Sequence, residues 1–288
     1  MNKYYQKTGY LNGDFKLFHL KDNNLEKIRF HYHDFYKILI FLNGNASYSI
    51  ERREYSLLPD DIILVGAGEI HKPILHDSSP YERIIIYISP DFFESYRRQG
   101  HDLSFCFEMA KKQQSNLIRL SDSGKHLLQP ITNALVSSSQ KTFATELYQR
   151  VKFIEYLIVL NRIVLDESTS FAAESSTNPV VRKIMSYINE HLTEELSIDH
   201  IADNVFLDRS YIMHLFKSET GYTIGKYITE KRLFQARRLI SSGLPITEAC
   251  FKCGFNNYAT FYHAYKAKYH ASPKTASSGI LPAHIYPE

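Results

Sequence analysis

The chain has few cysteines and no long apolar run. Its three cysteines, Cys106, Cys250 and Cys253, are too few for a disulfide framework, which indicates a reducing compartment. No apolar run approaches the ~20 residues that a membrane helix requires, and no apolar signal segment follows the residues Met1 to Lys7. These absences predict a cytoplasmic protein with no membrane partner.

The chain also lacks a strong excess of either charge. A net charge of +3 over 288 residues neither requires nor excludes a nucleic-acid partner, because a local basic face matters more than the sum. Hydrophobic residues make up 44% of the chain and charged residues 23%, as in ordinary globular proteins. A chain of this length favours two domains.

The first part of the chain has the pattern of β-strands. Apolar runs at 38–42, 62–65 and 84–88 are each followed within a few residues by glycine, asparagine or proline. Residues 47–50 alternate between polar and apolar, as a half-buried strand does. Several short strands at this spacing predict a small barrel or sandwich over about 15–89.

After Ser89 the apolar period becomes that of helices. Residues 121–136 predict a helix that Pro130 kinks, and residues 145–165 predict a stronger helix with one apolar stripe. Packing against the strands and a dimer seam both remain open for this stripe. Its members recur at helical steps: Leu147, Val151, Ile154, Leu157, Ile158 and Leu165.

The segment 166–178 is small, polar and almost without apolar anchors. Such a composition buries too little surface to order itself, so we interpret the segment as an interdomain linker. The predicted fold class is therefore α+β with two domains. A β-barrel with flanking helices occupies 1–165, and an all-α domain occupies 179–288.

One helical design occurs twice in the second domain. Residues 198–217 and 246–266 each contain a short helix, a turn and a second helix, with first residues 48 apart and last residues 49 apart. Two helices joined by a short turn, the second able to enter a DNA groove, form a helix-turn-helix. A long helix at 224–242 would hold the two units at the ~34 Å that separates successive major-groove faces.

Each unit has a predicted inner and outer face. In the first unit Ser197 is the expected N-cap, and the apolar side chains face inward. Phosphate contacts are expected from Lys217, Lys226, Lys231 and Arg232, and base contacts from other outward residues. The predicted DNA-binding residues are Arg209, Ser210, Met213, His214, Lys217, Asn257, Tyr258, Ala259, Tyr262, His263 and Lys266.

The second domain resembles the AraC/XylS family of bacterial transcription regulators over about 180–276. The motifs that carry the resemblance are the residues 211–221, 231–240 and 246–250 together with Gly254-Phe255 and Ser272-Pro273. The resemblance implies a seven-helix domain with two helix-turn-helix units that binds double-stranded promoter DNA and usually recruits RNA polymerase.

The chain departs from the family pattern at a few positions. His214 and His263 stand where arginine is frequent in the family, which predicts base contacts that are either weaker or more dependent on pH. His270 and the pair Ala276-Ser277 also differ from the family, and they leave the last turn less well defined than the rest.

Cys250 and Cys253 form a Cys-x-x-Cys motif, which invites a zinc or redox interpretation. A zinc site would need two further ligands at suitable spacing. Both cysteines fall on the inner face of a repeated helix, at the positions of Ala202 and Val205 in the first unit. We therefore predict that they belong to the core.

The residues His31-Tyr32-His33, Lys37, Gly44 and Gly68 to His71 resemble the cupin pattern, and the sensor domains of the same regulator family are cupin-like. Lys37 stands where metal cupins have glutamate, and an ammonium group repels a dication. We therefore expect no metal or other cofactor, and a small effector in the barrel instead. The predicted effector-binding residues are His33, Lys37, His71, Tyr36 and Tyr48, unless the histidines only satisfy hydrogen bonds within the barrel.

Three functional hypotheses follow. The first is a dimeric transcription regulator, not an enzyme, that responds to a small molecule; sugars and sugar acids are frequent effectors in the family. The second is a cupin enzyme, such as a dioxygenase or isomerase, fused to a DNA-binding domain, which predicts a bound metal ion. The third is a DNA-binding protein whose barrel only dimerises, which predicts no ligand at all.

Overall fold

The computed structural model describes residues 11, 13–22, 28, 30–51, 53–137, 143–166, 170–172, 178–269 and 271–277. The chain forms two compact units, residues 1–177 and 178–288, and the first is rich in strands while the second is helical. The predicted α+β two-domain fold is thereby confirmed. Most of the predicted linker 166–178, and His270, lie outside the described residues. Among the helices of the described part, none combines the length and hydropathy of a membrane span.

The first unit consists of two antiparallel sheets and four helices in its described part. The larger sheet has the strand order β1-β7-β2-β5-β8-β9, and the smaller has the order β4-β3-β6. The elements are β1 Phe15–Asp22, β2 Tyr36–Asn43, β3 Ala46–Ile50, β4 Arg53–Ser56, β5 Ile62–Val65, β6 His71–Leu75, β7 Tyr81–Ile88, α1 Pro90–Arg97, α2 Phe105–Lys112, β8 Leu117–Arg119, α3 Asp122–Ser137, α4 Thr145–Leu165 and β9 Ser170–Phe171.

Strand alternation divides the side chains of the large sheet between two faces. Leu39 and Ile63 point into the space between the sheets and pack in one cluster with Tyr48 of β3. Ile40 and Ile62 point the other way, into a second cluster that the helices complete. Consecutive residues of one strand therefore belong to different environments, and this decides which of them can share a site.

Helix α4 buries only part of the predicted apolar stripe. Leu157 is fully buried and Ile154 half-buried, whereas Leu147 and Val151 are 62% and 53% exposed. The helix instead packs through a neighbouring face, because apolar residues surround most of its circumference and periodicity alone does not select one side. That buried face comprises Phe153, Tyr156, Leu157, Leu160, Ile163 and Val164.

The second unit is a bundle of seven short helices in its described residues. Local capping explains where several of them begin: Asn178 accepts hydrogen bonds from the N–H groups of Val180 and Val181, next to Pro179 in the first turn. The helices are α5 Pro179–Glu190, α6 Ile198–Val205, α7 Arg209–Thr220, α8 Ile224–Ser241, α9 Ile246–Lys252, α10 Tyr258–Tyr269 and α11 Pro273–Ser277.

Candidate functional site

The first helix-turn-helix consists of α6 and α7. Ser197 caps α6 by accepting a hydrogen bond from the N–H of His200 at 3.1 Å, as predicted. Asp208 caps α7 by accepting from the N–H of Tyr211 at 3.0 Å. Between the helices, Phe206 adopts a left-handed conformation with φ 57° while its side chain is 86% exposed. The buried residues of the pair are Ile201, Ala202, Val205, Ile212 and Phe216.

The second helix-turn-helix consists of α9 and α10. Its Cys250 and Cys253 are fully buried free thiols in a core shared with α8, as the sequence predicted. Burial raises the pKa of the Cys253 thiol to about 12, so the thiol stays protonated and unreactive at neutral pH. Gly254 ends α9 with φ +82°, at the repeat position that Phe206 occupies in the first unit.

The structure places the predicted DNA-binding residues on the surfaces of α7 and α10. Tyr262 is half-buried, and the other ten side chains are exposed. The exposed set is Arg209, Ser210, Met213, His214, Lys217, Asn257, Tyr258, Ala259, His263 and Lys266.

The side chains of Arg209 and Asn257 already form hydrogen bonds within the chain. The guanidinium of Arg209 donates to both carboxylate oxygens of Asp199, at 3.0 and 2.9 Å, and both side chains are more than half exposed. The side-chain oxygen of Asn257 accepts from the N–H groups of Ala259 and Thr260 at 2.7 and 3.2 Å, so it caps α10 as Asp208 caps α7. The ion pair of Arg209 is exposed, so its guanidinium is able to leave Asp199 for another anion. The side-chain oxygen of Asn257 is instead occupied by the backbone N–H groups of α10.

Tyr211 and Thr260 are among the exposed positions on these helices that sequence reasoning did not select. Tyr211 is 52% exposed, and successive residues rotate by about 100° around a helix, which puts it on the same side as His214. Its counterpart 49 positions later, Thr260, is exposed as well. The internal repeat was the signal that could have found both.

The structure ties Arg232, a predicted phosphate contact, to the backbone of the same unit. It is half-buried, and its guanidinium donates to the backbone carbonyls of Leu192 and Glu194 at 2.9 and 2.6 Å, which ties α8 to the loop after α5. Burial lowers the pKa of Arg232. These two hydrogen bonds give the guanidinium a structural role within the fold.

The first unit contains a polar cluster in the space between its sheets. It consists of His33, Lys37, Tyr48 and His71, whose side chains are all at least 95% buried. The Lys37 amine on β2 donates to the Tyr48 phenol on β3 at 2.8 Å, so this hydrogen bond joins the two sheets. Burial, together with the positive charge of Arg83, lowers the pKa of Lys37 from 10.5 to about 7.

Both histidines of the cluster are held in one tautomer. The Nδ1 atoms of His33 and His71 lie 2.7 and 2.9 Å from the carbonyl oxygens of Phe35 and Glu69. A carbonyl only accepts hydrogen bonds, so each Nδ1 carries the proton. Burial, followed by the charge of Lys37, lowers the pKa of both rings, which keeps them neutral. Each Nε2 is then a lone-pair acceptor, and neither has a hydrogen-bond partner within the described residues.

Tyr36 is not brought to this cluster. It precedes Lys37 in β2 and therefore points to the opposite face of the sheet. There its ring packs edge-on against the rings of Phe93 and Phe107, with centroid distances of 5.0 and 4.9 Å. Tyr87 lies beside the cluster instead, with its ring centroid 5.7 Å from that of His33. The strand assignment was sufficient to distinguish the two tyrosines.

No group of three or more histidine, cysteine or acidic side chains in the described part of the chain is disposed to hold a metal ion. The position that would complete a cupin metal site is taken by the Lys37 amine, which contacts Tyr48. The cluster as built combines two fixed acceptors with one amine donor, which is chemistry suited to a small polar molecule.

Comparison with known proteins matches both units to family models. An "AraC-like ligand binding domain" model matches residues 13–147, and a "Helix-turn-helix domain" model matches residues 201–278. Over 254 residues the chain is 22% identical to the HTH-type transcriptional activator RhaS of Shigella sonnei, with 86% of this chain and 87% of that protein covered. RhaS of Escherichia coli K12 aligns with the same identity and coverage.

Solved structures of lower similarity include ToxT from Vibrio cholerae, at 14% identity and a TM-score of 0.35 over 93% of this chain and 98% of that one. The DNA-binding domain of AdpA in complex with a target DNA is 21% identical, with a TM-score of 0.34 over 36% of this chain and 93% of that one. With a ligand-binding unit followed by two helix-turn-helix units, the chain belongs to the AraC family of DNA-binding transcription regulators.

Proposed function

We propose that this regulator senses a small hydroxylated molecule in the space between its two sheets. The observation that carries the proposal is the pair of buried, unpartnered Nε2 acceptors of His33 and His71 beside the Lys37 amine. Leaving a buried acceptor without a donor costs about 1–3 kcal/mol. A ligand that supplies two hydroxyl donors recovers this energy, which favours a sugar or a sugar acid.

The Lys37 amine distinguishes between these two ligand classes. Its pKa of about 7 means that most of the amine is uncharged at pH 8. A carboxylate within a few Å favours the ammonium form, so a sugar acid takes up a proton when it binds at pH 8, and a neutral sugar does not. Calorimetry in two buffers of different ionisation enthalpy measures this uptake directly.

A thermal-shift screen of sugars and sugar acids tests the proposal. A ligand that binds only the folded state raises the unfolding midpoint, and Lys37→Met should abolish the shift while the exposed Lys112→Met retains it. If no compound in the screen shifts the midpoint, the unit acts only in dimerisation. If freshly purified protein contains stoichiometric iron, zinc or manganese, the cupin-enzyme hypothesis replaces this one.

The proposed DNA surface consists of the outward residues of α7 and α10. Lys217 and Lys266 contact phosphates, whereas Arg209, Met213, His214, Tyr258, Tyr262 and His263 reach base edges. Because Arg209 is paired with Asp199 in the free protein, it must change partner when DNA binds. This exchange is inexpensive, since exposed ion pairs contribute about 0–1 kcal/mol.

Competition binding at constant salt tests the role of Arg209. Arg209→Ala should reduce the preference for a selected operator over scrambled DNA by roughly 5- to 150-fold, the equivalent of one specific base contact at about 1–3 kcal/mol. Asp199→Asn, which frees the guanidinium, should preserve that preference. Arg98→Ala, on the exposed end of α1, is the matched control. If Arg209→Ala leaves the ratio of operator binding to scrambled-DNA binding unchanged, Arg209 does not contact a base.

We further propose that the regulator is a cytoplasmic homodimer, without enzymatic activity, that activates transcription through RNA polymerase. The exposed apolar residues Leu147, Val151, Ile158 and Leu165 of α4 recur at steps of four and seven, the spacing of a helix–helix seam. The RhaS relatives are transcriptional activators by name, which supports activation.

A further inference from the structure

The second helices of the two helix-turn-helix units, α7 and α10, correspond residue for residue at a spacing of 49. Two buried residues in each helix fix this register, since Ile212 and Phe216 match Phe261 and Tyr265. The first turn differs at each of its three positions: Arg209, Ser210 and Tyr211 of α7 correspond to Tyr258, Ala259 and Thr260 of α10. The N-terminal residues of a recognition helix contact base edges, so this difference decides what each helix reads.

Ala259 and Thr260 lie on the outward side of α10. Phe261 and Tyr265 are buried and define the inner side of the helix. Because successive residues rotate by about 100° around a helix, His263 lies opposite the inner side, and Ala259 and Thr260 flank it. All three residues are exposed. Two methyl groups therefore stand at the centre of the surface that the proposed function assigns to DNA.

The start of α10 is poor in groups that read a base by paired hydrogen bonds. The side-chain oxygen of Asn257 accepts from the N–H groups of Ala259 and Thr260 at 2.7 and 3.2 Å. Asparagine reads adenine through its oxygen and its nitrogen together, so Asn257 does not make that contact while it caps the helix. The rings of Tyr258 and Tyr262, with centroids 6.3 Å apart, add aromatic carbon at one side of the methyl groups.

This mostly apolar surface matches one group in the major groove. The C5 methyl of thymine is apolar, and the side-chain methyls of alanine and threonine contact it. Helix α7 begins instead with the Arg209 guanidinium, whose fork matches the two acceptors of guanine. We propose that α10 recognises thymine methyl groups through Ala259 and Thr260, whereas α7 recognises guanine, so that the two half-sites of the operator differ in chemistry. This inference rests on the proposed DNA surface.

Deoxyuridine tests the proposal, because it lacks only the C5 methyl of thymidine and pairs with adenine in the same way. An operator is first selected with the full-length protein, and its thymidines are then replaced one at a time by deoxyuridine. Loss of a methyl that α10 contacts should weaken binding about fourfold at constant salt, the equivalent of ~0.8 kcal/mol for one buried methyl group. The sensitive thymidines should lie together in one half-site.

Two variants of Thr260 separate the role of its methyl group from that of its hydroxyl. Thr260→Ser keeps only the hydroxyl and should bind thymidine and deoxyuridine equally at one sensitive position, whereas Thr260→Val keeps a methyl and should retain the preference. Ala259→Gly should remove the preference at a second position. Ala267→Gly, the same change at an exposed position about two turns further along α10, should not. Each readout is a ratio of two affinities of one variant, so a change in its stability cancels.

Arg209→Ala should keep every effect of deoxyuridine, which assigns the sensitive thymidines to α10 rather than to α7. The inference is overturned if the protein selects an operator but no deoxyuridine changes the affinity more than twofold. It is also overturned if Thr260→Ser and Ala259→Gly both retain the full preference for thymidine. A full-length protein that selects no operator contradicts the proposed DNA surface itself, and this inference with it.

Discussion

Replacing Lys37 should remove a pH dependence from the stability of the first unit. The folded chain holds this amine with a pKa of about 7, because it is buried between the sheets. In the unfolded chain the pKa returns to about 10.4. Between these values the unfolded state binds a proton that the folded state has released, so the free energy of unfolding rises with pH.

The size of the effect follows from the two pKa values. The slope cannot exceed ~1.4 kcal/mol per pH unit. Integrated from pH 7 to pH 9, the contribution of Lys37 to the free energy of unfolding increases by about 2 kcal/mol. In Lys37→Met this increase disappears. The absolute stability of the variant at pH 7 is a weaker test, because the Tyr48 hydroxyl loses its partner at a cost of about 1–3 kcal/mol.

Urea unfolding of the full-length protein at pH 7, 8 and 9 measures the effect, with circular dichroism following the strands of the first unit. The difference between wild type and Lys37→Met cancels the contributions of other titrating groups, including the buried Cys106 thiol. Lys112 is an exposed lysine at the end of α2, and in Lys112→Met the free energy of unfolding should change with pH as it does in wild type. If the free energy of unfolding changed with pH equally in wild type and in Lys37→Met, the burial argument would be refuted. An NMR titration of Lys37 with a midpoint near pH 10 would refute it as well.

The remaining predictions concern the turns of the repeat and the exposed face of α4. Phe206→Gly should stabilise the second unit by up to ~1 kcal/mol in thermal unfolding, because glycine adopts the left-handed conformation without strain; a lower midpoint would contradict this. Gly254→Ala should destabilise the same unit by ~2 kcal/mol or more, since φ is +82° and the added Cβ would lie 2.8 Å from the Leu192 carbonyl oxygen; neutrality would disprove it. Val151→Asp with Ile158→Asp should convert a dimer into folded monomers in light scattering, and an unaltered mass would exclude α4 as the seam.

Local patterns in the sequence predicted much of the second unit. Ser197 is the N-cap expected from its place before an apolar-faced helix, and the cysteines are buried where the repeat aligns them with Ala202 and Val205. These features depend on neighbours one or two helical turns away. The link from Arg232 to the Leu192 carbonyl depends on how a loop 40 residues away is placed, and no local pattern contains that information.

The polar cluster was predicted only in part from the sequence. The resemblance to the cupin pattern grouped His33, Lys37 and His71, and the structure brings them together between the sheets. The prediction also included Tyr36, although two adjacent strand residues cannot both face one space.

The caps of the two recognition helices make the two halves of the DNA-binding unit electrostatically unequal. Helix α7 begins at a carboxylate, Asp208, and helix α10 begins at a neutral amide, Asn257. The positive end of a helix dipole attracts phosphate, and an anion at the same end cancels part of that attraction. On the proposed DNA surface, reversing the protein on an asymmetric operator would exchange a repelling helix end for an attracting one, which would favour one direction of binding.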